Sequence, residues 1–83
     1  MKTLIVNDYR WSAYIATLTA GTCIICRRPI DQGAVGVLWE FNATSATSTA
    51  HLRCVNTNYQ CWPAILELAK TEPLVRQAFI LET

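Results

Sequence analysis

Two pairs of metal-ligating residues stand out in the chain: Cys23 with Cys26, and His51 with Cys54. Each pair is spaced by two residues, and twenty-four residues separate the two pairs. A tight turn can bring both thiolates of a Cys-x-x-Cys pair to one ion, and residues at i and i+3 lie on one face of a helix. Three sulfurs and one imidazole suit Zn²⁺, which takes four such ligands in a closed tetrahedral site. The spacing therefore predicts one structural zinc ion bound by these four residues.

The remaining cysteine, Cys61, leaves one position of the ligand set open. Cys61 could replace His51 and complete a four-thiolate site with Cys54. We favour His51 because it repeats the two-residue spacing, which leaves Cys61, next to Trp62, as a small buried residue. Two disulfides, a redox-active Cys-x-x-Cys pair and buried free thiols are the alternative explanations of the cysteines. The βαβ pattern of a thioredoxin-like protein is absent from the sequence, so zinc is the favoured interpretation.

The composition offers little material for catalysis. His51 is the only histidine, so once it binds the metal no imidazole remains as a general base. A zinc ion with four protein ligands has no open position for water, and neither Asp31 nor Glu40 has a second carboxylate nearby in sequence. The His-x-Glu and Pro-Cys-x-x-Cys signature of zinc deaminases is also missing. We expect a protein that is not an enzyme and has no small-molecule substrate.

Length and charge predict one folded domain. The chain has 83 residues, of which 52% are hydrophobic and 16% charged, and its formal net charge is +1. A chain this apolar is not of the disordered class, and its length leaves room for a single core. No apolar run is long enough for a membrane span or a signal-peptide core, so we expect an intracellular, cytoplasmic protein with thiols that are free or metal-bound.

The pattern of the first half predicts extended segments around one ambiguous stretch. Leu4 to Val6 is a short apolar run, β-branched at Ile5 and Val6, that predicts a strand. Residues 8–19 carry apolar side chains at helical spacing, which favours a helix, although the same stretch also alternates in the way a strand does. Asp31-Gln32-Gly33 is a turn signal, and it predicts a hairpin that begins near Ile30 and continues through Val35 to Phe41.

The second half reads as a loop followed by helices. Residues 42–50 are small, polar and uncharged, which predicts a loop, and a short helix is expected from His51 to Asn56. Pro63 and Pro73 each open an apolar stripe at helical spacing. The predicted fold class is α+β. Residues 1–83 are predicted to form one zinc-stabilised domain, with a zinc-finger core at 21–55 and a helical extension at 62–83.

The knuckle sequence Gly21-Thr22-Cys23-Ile24-Ile25-Cys26 resembles that of treble-clef zinc fingers. The PARP-type finger and the first zinc site of LIM domains both use Cys-x-x-Cys followed by His-x-x-Cys. Pro29-Ile30 and Gly33 look like the start of the PARP-type hairpin, with Trp39 on its second strand. The resemblance spans roughly residues 21–55 and implies a zinc knuckle, a β-hairpin and a ligand-bearing helix. It also implies recognition of DNA breaks through basic and apolar surface near the zinc.

Three hypotheses for function follow. The first is a non-catalytic adaptor or regulator that binds a protein partner or itself, because aromatic residues and arginines are the residues that anchor protein interfaces. The second is a nucleic-acid-binding finger that holds phosphates and stacks a base on an aromatic ring. A thiol redox protein is the third. The candidate binding residues are Arg27, Arg28, Arg53 and Trp39.

Overall fold

A computed structural model of the protein describes residues 1–79. Their backbone forms short strands followed by helical segments. The strands are β1 (Lys2–Asn7), β2 (Trp11–Thr17), β3 (Gly21–Thr22), β4 (Pro29–Ile30), β5 (Val35–Phe41) and β6 (Thr47–His51). A 3₁₀ turn at Leu52–Cys54 and the helices α1 (Trp62–Ala69) and α2 (Pro73–Phe79) follow. The described part of the chain is thus a small mixed domain of sheet and helix.

Within residues 1–79, an antiparallel sheet with the strand order β1-β2-β5-β6 forms the centre of the fold. The strand predicted at Leu4 to Val6 is confirmed as part of β1, which has an irregular register between those two residues. In the middle strands Ile15 lies opposite Val37. Strands β3 and β4 form a separate two-stranded ladder that carries the first ligand pair between them.

The helix favoured for residues 8–19 is wrong, and the alternating alternative is right, because the stretch contains strand β2. Ala13 and Ile15 point into the core and are completely buried. Tyr14 lies between them on the opposite face, where it is paired with Leu38 of β5. Large side chains on both faces of β2 produced apolar residues at helical spacing, so periodicity alone could not identify the strand.

The predicted hairpin from Ile30 into Val35–Phe41 does not form. The Cys-x-x-Cys turn folds the chain back on itself, so Ile30 pairs with Gly21 instead. The turn signal is nevertheless real, since the amide of Ala34 donates to the carbonyl of Asp31 at 3.1 Å. This turn directs the chain into β5, which pairs with β2 on one side and β6 on the other.

The loop predicted at residues 42–50 is shorter than expected. Its second half belongs to β6, which pairs with β5 from Thr47 opposite Glu40 to His51 opposite Gly36. The helix expected from His51 to Asn56 is also reduced to the 3₁₀ turn. Strand propensity depends strongly on context, and here the backbone hydrogen bonds of the neighbouring strand decide the conformation.

The helices expected after Pro63 and Pro73 are confirmed as α1 and α2, whereas residues 80–83 of the predicted helical extension lie outside the described residues. Ile65 of α1 and Val75 of α2 are completely buried. The buried core that they share with the sheet includes Ala13, Ile15, Val37, Trp39, Leu52 and Val55. None of the helices within residues 1–79 is long and apolar enough to cross a membrane.

Gly36 allows β6 and the segment after β2 to approach β5 closely. A Cβ atom at this position would lie 2.5 Å from the carbonyl oxygen of Ala50 and 2.6 Å from Cδ1 of Leu18. Real Cβ atoms do not make such contacts, so a side chain here would push β6 away from β5. Because His51 lies opposite Gly36, this close approach also fixes the position of a predicted metal ligand.

Candidate metal centre

The structure brings the four predicted ligands together. The Sγ atoms of Cys23, Cys26 and Cys54 and one ring nitrogen of His51 all lie within 4.8 Å of one another. Tetrahedral zinc with Zn–S bonds of about 2.3 Å places its sulfurs about 3.8 Å apart. The cluster is therefore close enough to bind one metal ion.

The four residues come from a turn and from the ends of two short elements. Cys23 and Cys26 lie in the turn between β3 and β4, His51 is the last residue of β6, and Cys54 is the last residue of the 3₁₀ turn. The i and i+3 relation of the second pair was predicted on a helical face. It is realised instead by one 3₁₀ turn, whose three-residue repeat eclipses such positions.

Backbone hydrogen bonds shape the turn between β3 and β4, residues 23–28, which carries the first pair and is called the knuckle below. The amide of Cys23 donates to the carbonyl of Arg28, and the amide of Arg27 donates to the carbonyl of Cys23, both at 3.0 Å. The amide of Cys26 donates to Sγ of Cys23 at 3.5 Å. A further bond from the amide of Ile24 to the carbonyl of Thr49, at 3.0 Å, joins the knuckle to β6. This bond connects the element that carries the first ligand pair to the strand that ends at the histidine.

Arg27 adopts a left-handed backbone conformation, with φ of 66°. The chain needs this conformation to turn back after Cys26 and close the bond to the carbonyl of Cys23. Glycine adopts it without steric cost, whereas a residue with a Cβ pays about 1–2 kcal/mol. The knuckle therefore contains one strained residue immediately after its second ligand.

The hydrogen bonds of His51 indicate which ring nitrogen faces the thiols. Nε2 lies 3.2 Å from the carbonyl oxygen of Pro29, and Nδ1 lies 3.4 Å from Sγ of Cys26 and 3.8 Å from Sγ of Cys54. A carbonyl oxygen only accepts, so Nε2 carries the proton and donates it to Pro29. In the neutral ring Nδ1 then has a free lone pair, as a metal ligand requires. Such a hydrogen bond holds the imidazole in the orientation that coordination needs.

The thiols of the cluster influence one another strongly. Burial tends to raise the pKa of Cys23, but the amides of Cys26, His51 and Ile25 and the Cys26 thiol outweigh it and lower the pKa to about 6. Burial, together with the neighbouring thiols of Cys26 and Cys23, raises the pKa of Cys54 to about 12. A divalent cation stabilises thiolates directly, so its binding would release the protons of these thiols.

Cys61 does not belong to the cluster that the described residues form. Its side chain is 1% exposed, and burial raises the pKa of its thiol. The alternative in which Cys61 replaces His51 therefore has no geometric support. None of the cysteines, all of which lie within residues 1–79, is in a disulfide.

The predicted binding residues fall into two different environments. Arg27, Arg28 and Arg53 are exposed and lie close in sequence to cysteines of the cluster. Trp39, by contrast, is only 7% exposed and belongs to the core, with its ring centroid 6.3 Å from that of Tyr59. The arginines are accessible to a partner, whereas Trp39 is accessible only through a cavity.

That cavity was not anticipated from the sequence. It has a volume of about 230 Å³, and we call it the aromatic groove. Its lining residues are Trp11, Ile24, Trp39, Phe41, Tyr59, Gln60 and Cys61. The available signal was the alternation in β5, which places Trp39 and Phe41 on one face. The pairing of Phe41 with Trp11 required knowledge of the strand order.

Comparisons of the chain with family models, with curated proteins and with solved structures each returned no match. The resemblance to PARP-type and LIM fingers therefore gains no support from a shared family. What remains is the cluster itself, three cysteines and one histidine close enough to hold one metal ion. This geometry is characteristic of a zinc-binding domain.

Proposed function

We propose that the chain is a small domain organised by one structural Zn²⁺ ion. The observation that carries the proposal is the Cys₃His cluster, whose ligand atoms lie within 4.8 Å of one another. Soft thiolate ligands select against Mg²⁺ and Ca²⁺, which prefer oxygen, and favour zinc. Zinc bound by Cys23, Cys26, His51 and Cys54 supplies a crosslink between the knuckle, β6 and the 3₁₀ turn.

The order of the elements supports a treble-clef-like arrangement. The knuckle between β3 and β4 is followed by the hairpin β5–β6 and then by the helical turn that carries Cys54. This is the sequence of knuckle, hairpin and ligand-bearing helical segment that the PARP-type and LIM resemblance implies. The hairpin is built from later strands than the sequence suggested.

We further propose that the domain is a non-catalytic, intracellular adaptor or regulator that binds a protein partner. The single histidine is used by the cluster, and four protein ligands leave zinc no open position. Arg27, Arg28 and Arg53 are exposed, and they form no ion pair in the part of the chain that the structure describes. Exposed arginines and aromatic residues are enriched among the residues that anchor protein interfaces.

Nucleic-acid binding is a second candidate function, favoured by the same three arginines. Zn²⁺ with three thiolates and a neutral imidazole carries a charge of −1, which offsets one of the arginines. Three phosphate contacts would give a slope of only about −2.7 in log affinity against log salt, which corresponds to weak binding. We therefore favour protein binding over nucleic-acid binding as the function of this domain.

Native mass spectrometry of freshly purified protein, without added metal, tests the zinc proposal. We expect one zinc ion per chain and reduced cysteines. Cys23→Ser should abolish zinc retention because it removes a ligand, whereas Cys61→Ala should retain one zinc ion because Cys61 lies outside the cluster. A metal-free protein whose mass is lower by the hydrogens lost in forming two disulfides would overturn the proposal.

A further inference from the structure

The aromatic groove is a cavity beside the metal centre that the zinc proposal does not use. Its volume of about 230 Å³ lies below the range of about 300–1,000 Å³ typical of small-molecule sites. The paired residues Trp11 and Phe41 stand at one end of β2 and β5. Helix α2 lies against the other end of β5, where Leu74 and Val35 line a separate cavity. The groove is thus an uncovered end of the core, with room for one bulky side chain.

The lining of the groove favours an apolar occupant. Phe41 is 38% exposed and Ile24 is 41% exposed, so large apolar surfaces face solvent at this point. Trp39 and Tyr59 lie deeper, and their rings are held in contact by the core. A nucleobase would bury the polar edges of its ring against carbon atoms, which is costly without hydrogen-bond partners. An aromatic or aliphatic side chain carries no such cost, and pockets of this kind receive the anchor residues of protein partners.

The turn that contributes Ile24 to the groove also carries positive charge. Ile24 lines the groove, and Arg27 and Arg28 follow it in the same knuckle, both exposed. Glu40, although next to Phe41 in sequence, lies on the opposite face of the sheet, where Lys2 pairs with it at 2.9 Å. No carboxylate lies within 4.0 Å of either arginine among the described residues. This distribution is complementary to an acidic partner.

We infer that the aromatic groove, with Arg27 and Arg28 at its knuckle end, is the docking site for an acidic peptide segment of a partner protein. The segment inserts one bulky apolar side chain between Trp11, Phe41 and Ile24. Its flanking carboxylates pair with the two guanidinium groups, which form charge-assisted hydrogen bonds. The inference rests on the proposed role as a protein-binding adaptor and adds the chemistry of the partner.

Titration of nitrogen-15-labelled, zinc-loaded full chain with a short acidic peptide that has a central phenylalanine tests the inference. We expect saturable shifts of the indole N–H signals of Trp11 and Trp39. Replacing the peptide's phenylalanine with alanine should weaken binding at least about tenfold, the equivalent of about 1.4 kcal/mol. A peptide with lysines in place of its acidic residues should bind at least about tenfold more weakly. Equal binding of the acidic and basic peptides would overturn the inference, as would the absence of shifts.

Variants of the protein locate the site. Phe41→Ala should weaken binding of the acidic peptide about tenfold, whereas Leu66→Ala, on the similarly exposed surface of α1, should leave it unchanged. Arg27→Gly should weaken it about threefold, whereas Lys70→Gln removes a positive charge elsewhere and should have no effect. Because glycine suits the backbone of residue 27, a loss of binding in that variant is not a loss of folding.

A short oligothymidylate separates the two kinds of partner. If it shifts the signals of Trp11 and Trp39 and the acidic peptide does not, the groove is a nucleic-acid site and the inference is overturned. The zinc content of the same sample distinguishes this failure from that of the proposed function. If the zinc-loaded domain does not bind the peptide, only the proposed docking site is overturned. If the chain purifies without zinc, the proposed structural role of the metal is overturned.

Discussion

At the scale of single residues, Arg27 stores strain that a substitution can release. Arg27→Gly should raise the free energy of unfolding of the zinc-loaded protein by about 0.5–1 kcal/mol. The relief of the left-handed conformation outweighs the extra freedom that glycine gives the unfolded chain. Chemical denaturation with zinc present measures the change. Arg28→Gly is the matched control: it also removes a charge, but its φ is not positive, so it should lower stability. Equal effects of the two variants would contradict the assignment of strain to residue 27.

The four residues of the Cys₃His cluster could be identified from the sequence because residue type and spacing alone mark a possible metal site. The groups that orient them could not. Pro29 and Thr49 contribute through their carbonyl oxygens, one to Nε2 of His51 and the other to the amide of Ile24. Every residue has a carbonyl group, so no pattern of side chains marks these two. Their positions follow only from the pairing of β3 with β4 and the approach of the knuckle to β6.

At the scale of elements, the contact between β5 and β6 depends on Gly36. Gly36→Ala should lower the free energy of unfolding by about 1–3 kcal/mol, the usual cost of overpacking. The new methyl group would meet the carbonyl of Ala50, which is backbone and cannot rotate away. Thermal or chemical unfolding of the zinc-loaded protein measures the loss. Gly21→Ala is the control, because its Cβ would have only the carbonyl of Thr19 nearby, at 3.9 Å. If the two variants are equally stable, β5 and β6 are not packed as described.

The elements themselves were predicted unevenly, for reasons that differ from one to the next. Pro63 and Pro73 mark α1 and α2 because proline suits the first turn of a helix and the apolar stripes follow. Strand β2 was assigned to a helix because both of its faces are partly apolar. Strand β6 was assigned to a loop because its Thr-Ser-Thr sequence has no apolar alternation. Its conformation comes from backbone hydrogen bonds to the preceding strand, β5, and these use main-chain groups that every residue has, so they leave no side-chain pattern.

At the scale of the whole molecule, a metal ion bound by the cluster would crosslink three short parts of the chain. The cluster joins the knuckle to the end of β6 and to the 3₁₀ turn, while Val37, Ile65 and Val75 form a core between sheet and helices. A core in a domain of this size supplies only about 3–5 kcal/mol. Zinc binding in comparable sites contributes about 10–16 kcal/mol of apparent free energy, which is folding free energy. Stability of the whole domain is therefore expected to depend on the ion.

Removal of zinc should accordingly lower the unfolding temperature by at least about 20 °C, or abolish the cooperative transition. In a domain of this length each kcal/mol corresponds to about 4–8 °C, so the loss of several kcal/mol is readily measured. Thermal unfolding followed by circular dichroism, with and without a strong chelator, provides the measurement. The same chelator already saturated with zinc is the control, and readdition of zinc should restore the transition. An unchanged unfolding temperature in protein shown to be metal-free would mean that the core folds without the ion, and the cluster would then have no structural role.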